Sequence, residues 1–242
     1  MSFEKRIGLL VPSSNTSVEA EFHRLLPAGV TQHVARLFIA RVEPDSIERM
    51  VETLEAQSRL LASADVDLIM LCATAPSFLK GQGYDREIGK RIEDATGKPA
   101  TTTSTALLDA LRALGIQRLA LGSAFTPTVN GICAGFLEAN GHRVVAQDGL
   151  NKLDNLEIGR LDVETAFDLG TRIDRDDAQA IVLACTNWRT IDVIDRLEQR
   201  LNKPVLTTTQ VSAWHALRKL GYGGSIAGYG TLLRDHLAPQ AA

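Results

Sequence analysis

At 242 residues, 45% of them hydrophobic and 23% charged, the chain has the make-up of an ordinary globular protein, long enough for one large α/β unit or two smaller lobes. A formal net charge of -3 with no run of lysine or arginine leaves no footprint for nucleic acid or an anionic membrane surface, so a small-molecule partner is expected. Three cysteines, odd in number and without CxxC spacing, fit neither a disulfide framework nor a zinc site.

The opening "MSFEKRIGLLVP" has an apolar stretch too short for a signal h-region or a membrane span, and a cytoplasmic location is expected from it. Arg6–Pro12 reads as a buried strand, followed by Ser13, Ser14, Asn15 and Thr16 and by a helix from near Ser17. Hydroxyls, an amide and backbone donors at a helix start suit a carboxylate, and the same residues suit an N-cap box closed by Glu19; the two roles are compatible. The spacing predicts one helix over 46–64, then a strand over 66–72 that ends at Cys72 and is followed by Thr74. "KPATTTSTALLDALRALG" carries a threonine tract into a helix, and the next strand, 118–124, runs into Phe125. Cys133 sits on an apolar helical face and reads as core. Asn155, in the polar "LDNLEIGR", is by itself only a turn former.

A helix over 163–173 precedes the strand 178–185, which ends at Cys185 and Thr186. A helix over 191–201, the stretch "KPVLTTTQVSAWHALRKLG" and the turn-rich "GSIAGYGTLL" complete the chain. Gly228 and Gly230 suit either a tight turn or amides offered to a ligand. The five histidines lack metal-ligand spacing, with His215 read as a helix-face residue, and neither GxGxxG nor Walker A is present, so no metal or nucleotide is expected.

The chain also repeats itself. Lys-Pro, a triple threonine and Ala-Leu-Arg-x-Leu-Gly begin at Lys98 and again at Lys203, the strand at Arg6 is matched by one at Arg118, and Cys72 is matched by Cys185. The expected fold class is therefore α/β, with two pseudo-twofold-related lobes, each a parallel sheet flanked by helices and with the active site in the cleft between them. The lobes are placed at 1–104 with 213–242, and at 105–212. Strand carboxyl ends line the crevice of open parallel sheets, which sets Cys72 and Cys185 opposite each other there, as nucleophiles or proton carriers. A helix amino terminus beside each is expected to lower its pKa. Three readings stay open on the residues alone: a covalent isomerase, a two-cysteine racemase and a non-catalytic binder.

On "GLLVPSSNTSVEAE", "LDNLEIGR", "ATAPSFLKG", "TSTALLDALRALG" and the closing "GYG", the chain resembles the aspartate/glutamate racemase superfamily, in its branch of maleate cis-trans isomerases and arylmalonate decarboxylases. The resemblance runs nearly end to end. It implies chemistry without a cofactor on a small carboxylate and a homodimer as the assembly. Cys72 is implied as the nucleophile that adds to a double bond and Cys185 as proton donor or acceptor. Ser13, Ser14, Asn15, Thr74, Phe125, Asn155 and Thr186 are the implied substrate contacts, with the two asparagines on carboxylates. Decarboxylases of this branch carry glycine where Cys72 stands, so decarboxylation is disfavoured and a racemase of an amino acid, hydantoin or related acid is the alternative. Two departures bear on the substrate: Phe125 replaces a family tyrosine, and "CTNWRT" is bulkier than the isomerase sequence after the second cysteine.

Overall fold

Continuous apolar runs demand cover on both faces, and the chain provides it twice. The computed structural model describes residues 4–238 and contains two parallel four-stranded sheets. In the first, β1 (Lys5–Pro12), β2 (Val30–Leu37), β3 (Leu68–Leu71) and β4 (Ala100–Thr102) take the order β2-β1-β3-β4. In the second, β5 (Arg118–Ser123), β6 (Arg143–Gly149), β7 (Ala180–Ala184) and β8 (Val205–Thr207) take the order β6-β5-β7-β8. The second order is the first repeated, so the duplicated landmarks correspond to duplicated topology. Ile7, Leu9, Leu10, Ile69, Met70, Ile181, Val182 and Leu183 are fully buried in the inner strands, as helices on both faces require.

The strand order reverses between β1 and β3, and again between β5 and β7. Loops leaving neighbouring strands there diverge and open a crevice. Cys72 directly follows β3 and Cys185 directly follows β7, so each cysteine occupies its lobe's switch point. The helices after the threonine tracts, Thr103–Ala113 and Thr208–Lys219, pack against each other and join the lobes. Their starts are fixed by threonine caps. Thr102 Oγ1 accepts the Thr105 amide at 3.1 Å, and Thr207 forms a reciprocal capping box with Gln210.

The helix expected over 46–64 is interrupted: Pro44–Met50 and Leu54–Ala62 flank a tight turn at Val51–Thr53, where the Arg91 guanidinium donates to the Val51 carbonyl at 3.1 Å. Arg91 belongs to Tyr84–Thr96, a helix the sequence reading passed over because only Tyr84, Ile88 and Ile92 form its apolar stripe. Among the described residues no helix is long and apolar enough to cross a membrane.

The glycine-rich end turns out to be a turn and not a ligand loop. Gly228 and Gly230 have φ of +92° and +83°, and the Gly230 amide donates to Asp195 Oδ1 at 2.7 Å, which ties the last helix, Gly230–Asp235, to the second lobe. A Cβ at Gly230 would stand 2.4 Å from Ile194 Cγ2. Gly230→Ala is therefore expected to cost about 1–3 kcal/mol, from strain and overpacking together. A lowered urea midpoint at unchanged m-value would show it, and an unchanged midpoint would contradict this account.

Candidate active site

A small cavity lies where the carboxyl ends of the two sheets face each other. Its polar side is made by Asn15, Thr74, Asn155, Cys185, Thr186 and Asn187, and its apolar side by Ile39, Val42, Ile47, Pro76 and Phe125. No charged side chain lines it. The Val42 amide donates to the Leu153 carbonyl at 2.9 Å, so loops from the two lobes meet over it. A wider groove at the amino ends of β1 and β3 is lined by Lys5, Asp67, Asp65 and Lys98, which satisfy one another as ion pairs. The strand carboxyl ends are the better place for a small ligand.

Of the residues expected to bind substrate, Asn15, Thr74, Phe125, Asn155 and Thr186 line the cavity, whereas Ser13 and Ser14 face an outer groove. Ser13 Oγ is taken by the Ile39 amide at 3.2 Å, and Ser14 Oγ accepts from Asn155 Nδ2 at 2.9 Å. The two serines therefore brace loops, each through a bond to a lining residue, Ser13 to Ile39 and Ser14 to Asn155. The helix start also differs from expectation. Asn15 Oδ1 accepts the amides of Ser17 and Val18, both at 3.0 Å, while Glu19 pairs with Arg36, so Asn15 replaces the expected capping box. Those amides are no longer free for an anion. What remains are amide-group protons: Asn15 Nδ2 donates one to Thr186 Oγ1 at 3.2 Å, Asn155 Nδ2 one to Ser14, and each keeps a second. Thr74 Oγ1 is buried without a partner at the cavity edge, a donor in want of an acceptor.

The two cysteines are placed unequally. Cys185 lines the cavity, whereas Cys72 is fully enclosed and stands behind it, tied to the opposite lobe by the Thr186 hydroxyl, which donates to the Cys72 carbonyl at 3.3 Å. The expected drop in thiol pKa does not occur. Burial pushes both thiols up to about 12; at Cys72 the hydroxyls of Ser212 and Thr103 work against it, and at Cys185 the amides of Asn187 and Trp188 do so. The helix amino terminus expected beside each cysteine is absent at Cys185, which is followed by turns as far as Ile191, and at Cys72 is only the short helix Thr74–Phe78, so desolvation is not offset and both groups rest as thiols. Cys185 also has a φ of +145°, a region that favours glycine. Trp188 directs its bulk into the core and leaves the cavity untouched, while Phe125 stacks edge-on against Phe78 with ring centroids 6.3 Å apart. Cys133 is buried on its helix without polar partners, as core. His215 is a buried helix residue between Thr101 and Asp109, held neutral because burial and nearby Lys219 and Arg218 drive its pKa down to about 3.

Five further residues surround the thiols, two from the paired threonine tracts marked in the sequence and three that escaped the sequence reading. Thr103 and Thr208 are equivalent members of the two threonine tracts, one facing the Cys72 thiol and the other accepting the Cys185 amide at 3.1 Å. That tract duplication was a usable signal. Ser212, Asn187 and Glu21 had none, because each works across the lobe boundary. Asn187 Oδ1 accepts the Thr16 amide at 2.8 Å and its Nδ2 donates to the Asn155 carbonyl at 2.6 Å. Glu21, on the helix Val18–Leu25, accepts the Thr190 and Ile191 amides, and its other oxygen has no hydrogen bond. Burial pushes its carboxyl up to about 7, against the two amides and the neighbouring Thr209 hydroxyl and with help from Asp192.

The arylmalonate decarboxylase family profile matches residues 7–233. Arylmalonate decarboxylase of Bordetella bronchiseptica is 31% identical over 232 residues, covering 95% of this chain and 96% of that protein. A maleate isomerase variant of Pseudomonas putida with maleate superposes with a TM-score of 0.93 at 26% identity, covering 96% and 98% of the two chains. A variant of the Nocardia farcinica maleate cis-trans isomerase with a covalently bound succinylcysteine intermediate gives 0.91 at 25% identity, covering 95% and 98%.

The raised carboxyl of Glu21 has a measurable consequence for stability. Between about pH 4.5, its ordinary value, and about 7, the folded chain holds a proton that the unfolded chain releases, so this group's contribution to stability falls as pH rises through that window. Glu21→Gln keeps an acceptor for the two amides and does not titrate. Relative to the parent, it should gain up to about 3 kcal/mol between pH 4.5 and 8, read from urea midpoints. Parallel pH curves for the two proteins would refute the assignment.

Proposed function

The chain belongs to the arylmalonate decarboxylase family, and from that premise we propose that it is a cofactor-independent cis-trans isomerase of a small dicarboxylate of the maleate type. The observation that carries this reading is that a cysteine ends the equivalent strand in each lobe, Cys185 lining a cavity to which both lobes contribute and Cys72 standing next to Ala73, which also lines it. The succinylcysteine seen in the Nocardia farcinica relative supports a covalent route through such a thiol.

In the proposed reaction the Cys72 thiolate adds to one alkene carbon, and the π electrons move to the neighbouring carboxylate as an aci-carboxylate. Cys185 gives its proton to the adjacent carbon. Rotation about the new single bond follows; Cys185 then takes a proton back, the C–S bond breaks and the trans acid leaves. The neutral cavity would hold the added charge through aimed dipoles, the spare N–H groups of Asn15 and Asn155 and the Thr74 hydroxyl. The sequence demands two changes of the resting site: Cys72 must reach the cavity and must lose its proton.

One feature favours a second reading. Ile39, Val42, Ile47, Pro76 and Phe125 give the cavity an apolar side that a symmetric dicarboxylate does not need. An acid with an apolar substituent at its α-carbon would use that side, and two thiols exchanging the α-proton on opposite faces would racemise it.

Proton NMR in D₂O separates the readings: fumarate formed from maleate supports the isomerase, and deuterium exchanged into a chiral acid without alkene turnover supports the racemase. Cys72→Ala and Cys185→Ala are each expected to lower turnover by at least about a thousandfold, and Cys133→Ala to leave it within about threefold. Equal activity in the three variants would overturn the roles given to the thiols.

A further inference from the structure

Glu21 springs from the middle of a first-lobe helix, yet its carboxylate ends in the second lobe. Oε1 accepts the amide of Thr190 at 2.8 Å and that of Ile191 at 3.3 Å. These N–H groups open the turn Ile191–Val193 that leads into the helix Ile194–Leu201, where first-turn donors have no partner of their own. The residue is 4% exposed, so neither the carboxylate nor the amides can turn to water instead.

The same stretch of chain makes three more contacts to the segment that follows Cys185. The Thr16 amide reaches Asn187 Oδ1 at 2.8 Å, the Ser17 hydroxyl reaches the Asn187 carbonyl at 2.8 Å, and Arg24 pairs with Asp192 at 3.0 Å. The Arg24 pair is surface-exposed and contributes little. Cys185 meanwhile keeps a φ of +145°, a conformation that costs about 1–3 kcal/mol and survives only where its surroundings over-determine it. Its own lobe supplies the Thr208 hydroxyl on its amide, and otherwise acts through residues 187 and 188: the Trp188 amide on its carbonyl, the amides of Asn187 and Trp188 at its thiol, and the Asn187 side chain on the Asn155 carbonyl.

We propose that Glu21 is a positioning residue for Cys185: a first-lobe carboxylate that holds the Thr190 and Ile191 amides, at the far end of the segment that Thr16 and Ser17 hold at Asn187, and so keeps the second-lobe cysteine in its strained, cavity-facing form. The inference rests on Cys185 being a reacting thiol. It makes aiming of that thiol conditional on the two lobes being packed together.

The test compares Glu21→Ala, Glu21→Gln and the parent protein by peptide-resolved amide hydrogen exchange and by turnover of maleate. Glu21→Ala should speed exchange over residues 186–193 at least about tenfold while peptides from β1 and β5 stay unchanged. It should also lower kcat at least about tenfold with KM within about threefold, and Glu21→Gln should recover most of both losses because it keeps the acceptor. Unchanged exchange over 186–193, a change in KM alone, or a Gln variant as impaired as the Ala variant would each overturn the proposal. Should the Ala variant not fold, Glu21→Asp, which withdraws the carboxylate by one methylene, carries the same expectations. If maleate is not turned over, the exchange measurement still decides the point, so failure of the substrate reading and failure of this inference can be told apart.

Discussion

The site depends on a seam of buried hydrogen bonds between the lobes. Asn187 accepts the Thr16 amide, Ser17 donates to the Asn187 carbonyl, and Thr186 donates to the Cys72 carbonyl while accepting from Asn15; within the second lobe Asn187 also donates to the Asn155 carbonyl. All but the part-buried Thr16–Asn187 bond are sealed from water, where losing one partner strands the other at a cost of about 1–3 kcal/mol. The bonds share residues and run from loop to loop, so they act as a network that holds two otherwise separate sheets in one register. Both cysteines hang from this seam, one by its carbonyl and one by the loop that follows it.

The same sealing decides the electrostatics. A thiol beside backbone amides in water would ionise more readily, but here desolvation outweighs the amides and hydroxyls at both positions. Glu21 adds to this at both thiols, since a negative charge disfavours a second one nearby. The resting site is therefore neutral almost throughout, with polarity supplied by amide and hydroxyl dipoles. Such a site costs little to keep closed, and it leaves charge to be introduced by the substrate itself.

The cavity draws on edge and central strands alike. Ile39, Val42 and Ile47 lie after the edge strand β2 and Asn155 after the edge strand β6, while Asn15, Thr74, Pro76, Phe125, Cys185 and Asn187 lie after the central strands β1, β3, β5 and β7. Central strand ends are fixed by neighbours on both sides, whereas chain leaving an edge strand has more freedom. Cys185 and most of the polar groups thus stand on the more rigid positions, and three of the five apolar residues on the more adaptable ones.

The sequence by itself determined the inner strands, the duplication, the α/β class and the matched cysteines, because each is encoded locally as an apolar run or a repeated word. It did not reveal β2 and β6, whose half-exposed edge positions tolerate Gln32, His33, Gln147 and Asp148 and so hide the strand pattern. It also failed to separate Ser13 and Ser14 from Asn15, three neighbours of similar chemistry, since only the turn after β1 sets which of them faces the cavity. Tertiary structure alone decided that Cys72 lies behind the cavity, that both thiols rest protonated, and that Glu21 and Asn187 matter. The physical reason is common to all of these: burial and hydrogen bonding across the lobe boundary join residues more than a hundred positions apart, and no local pattern carries that information.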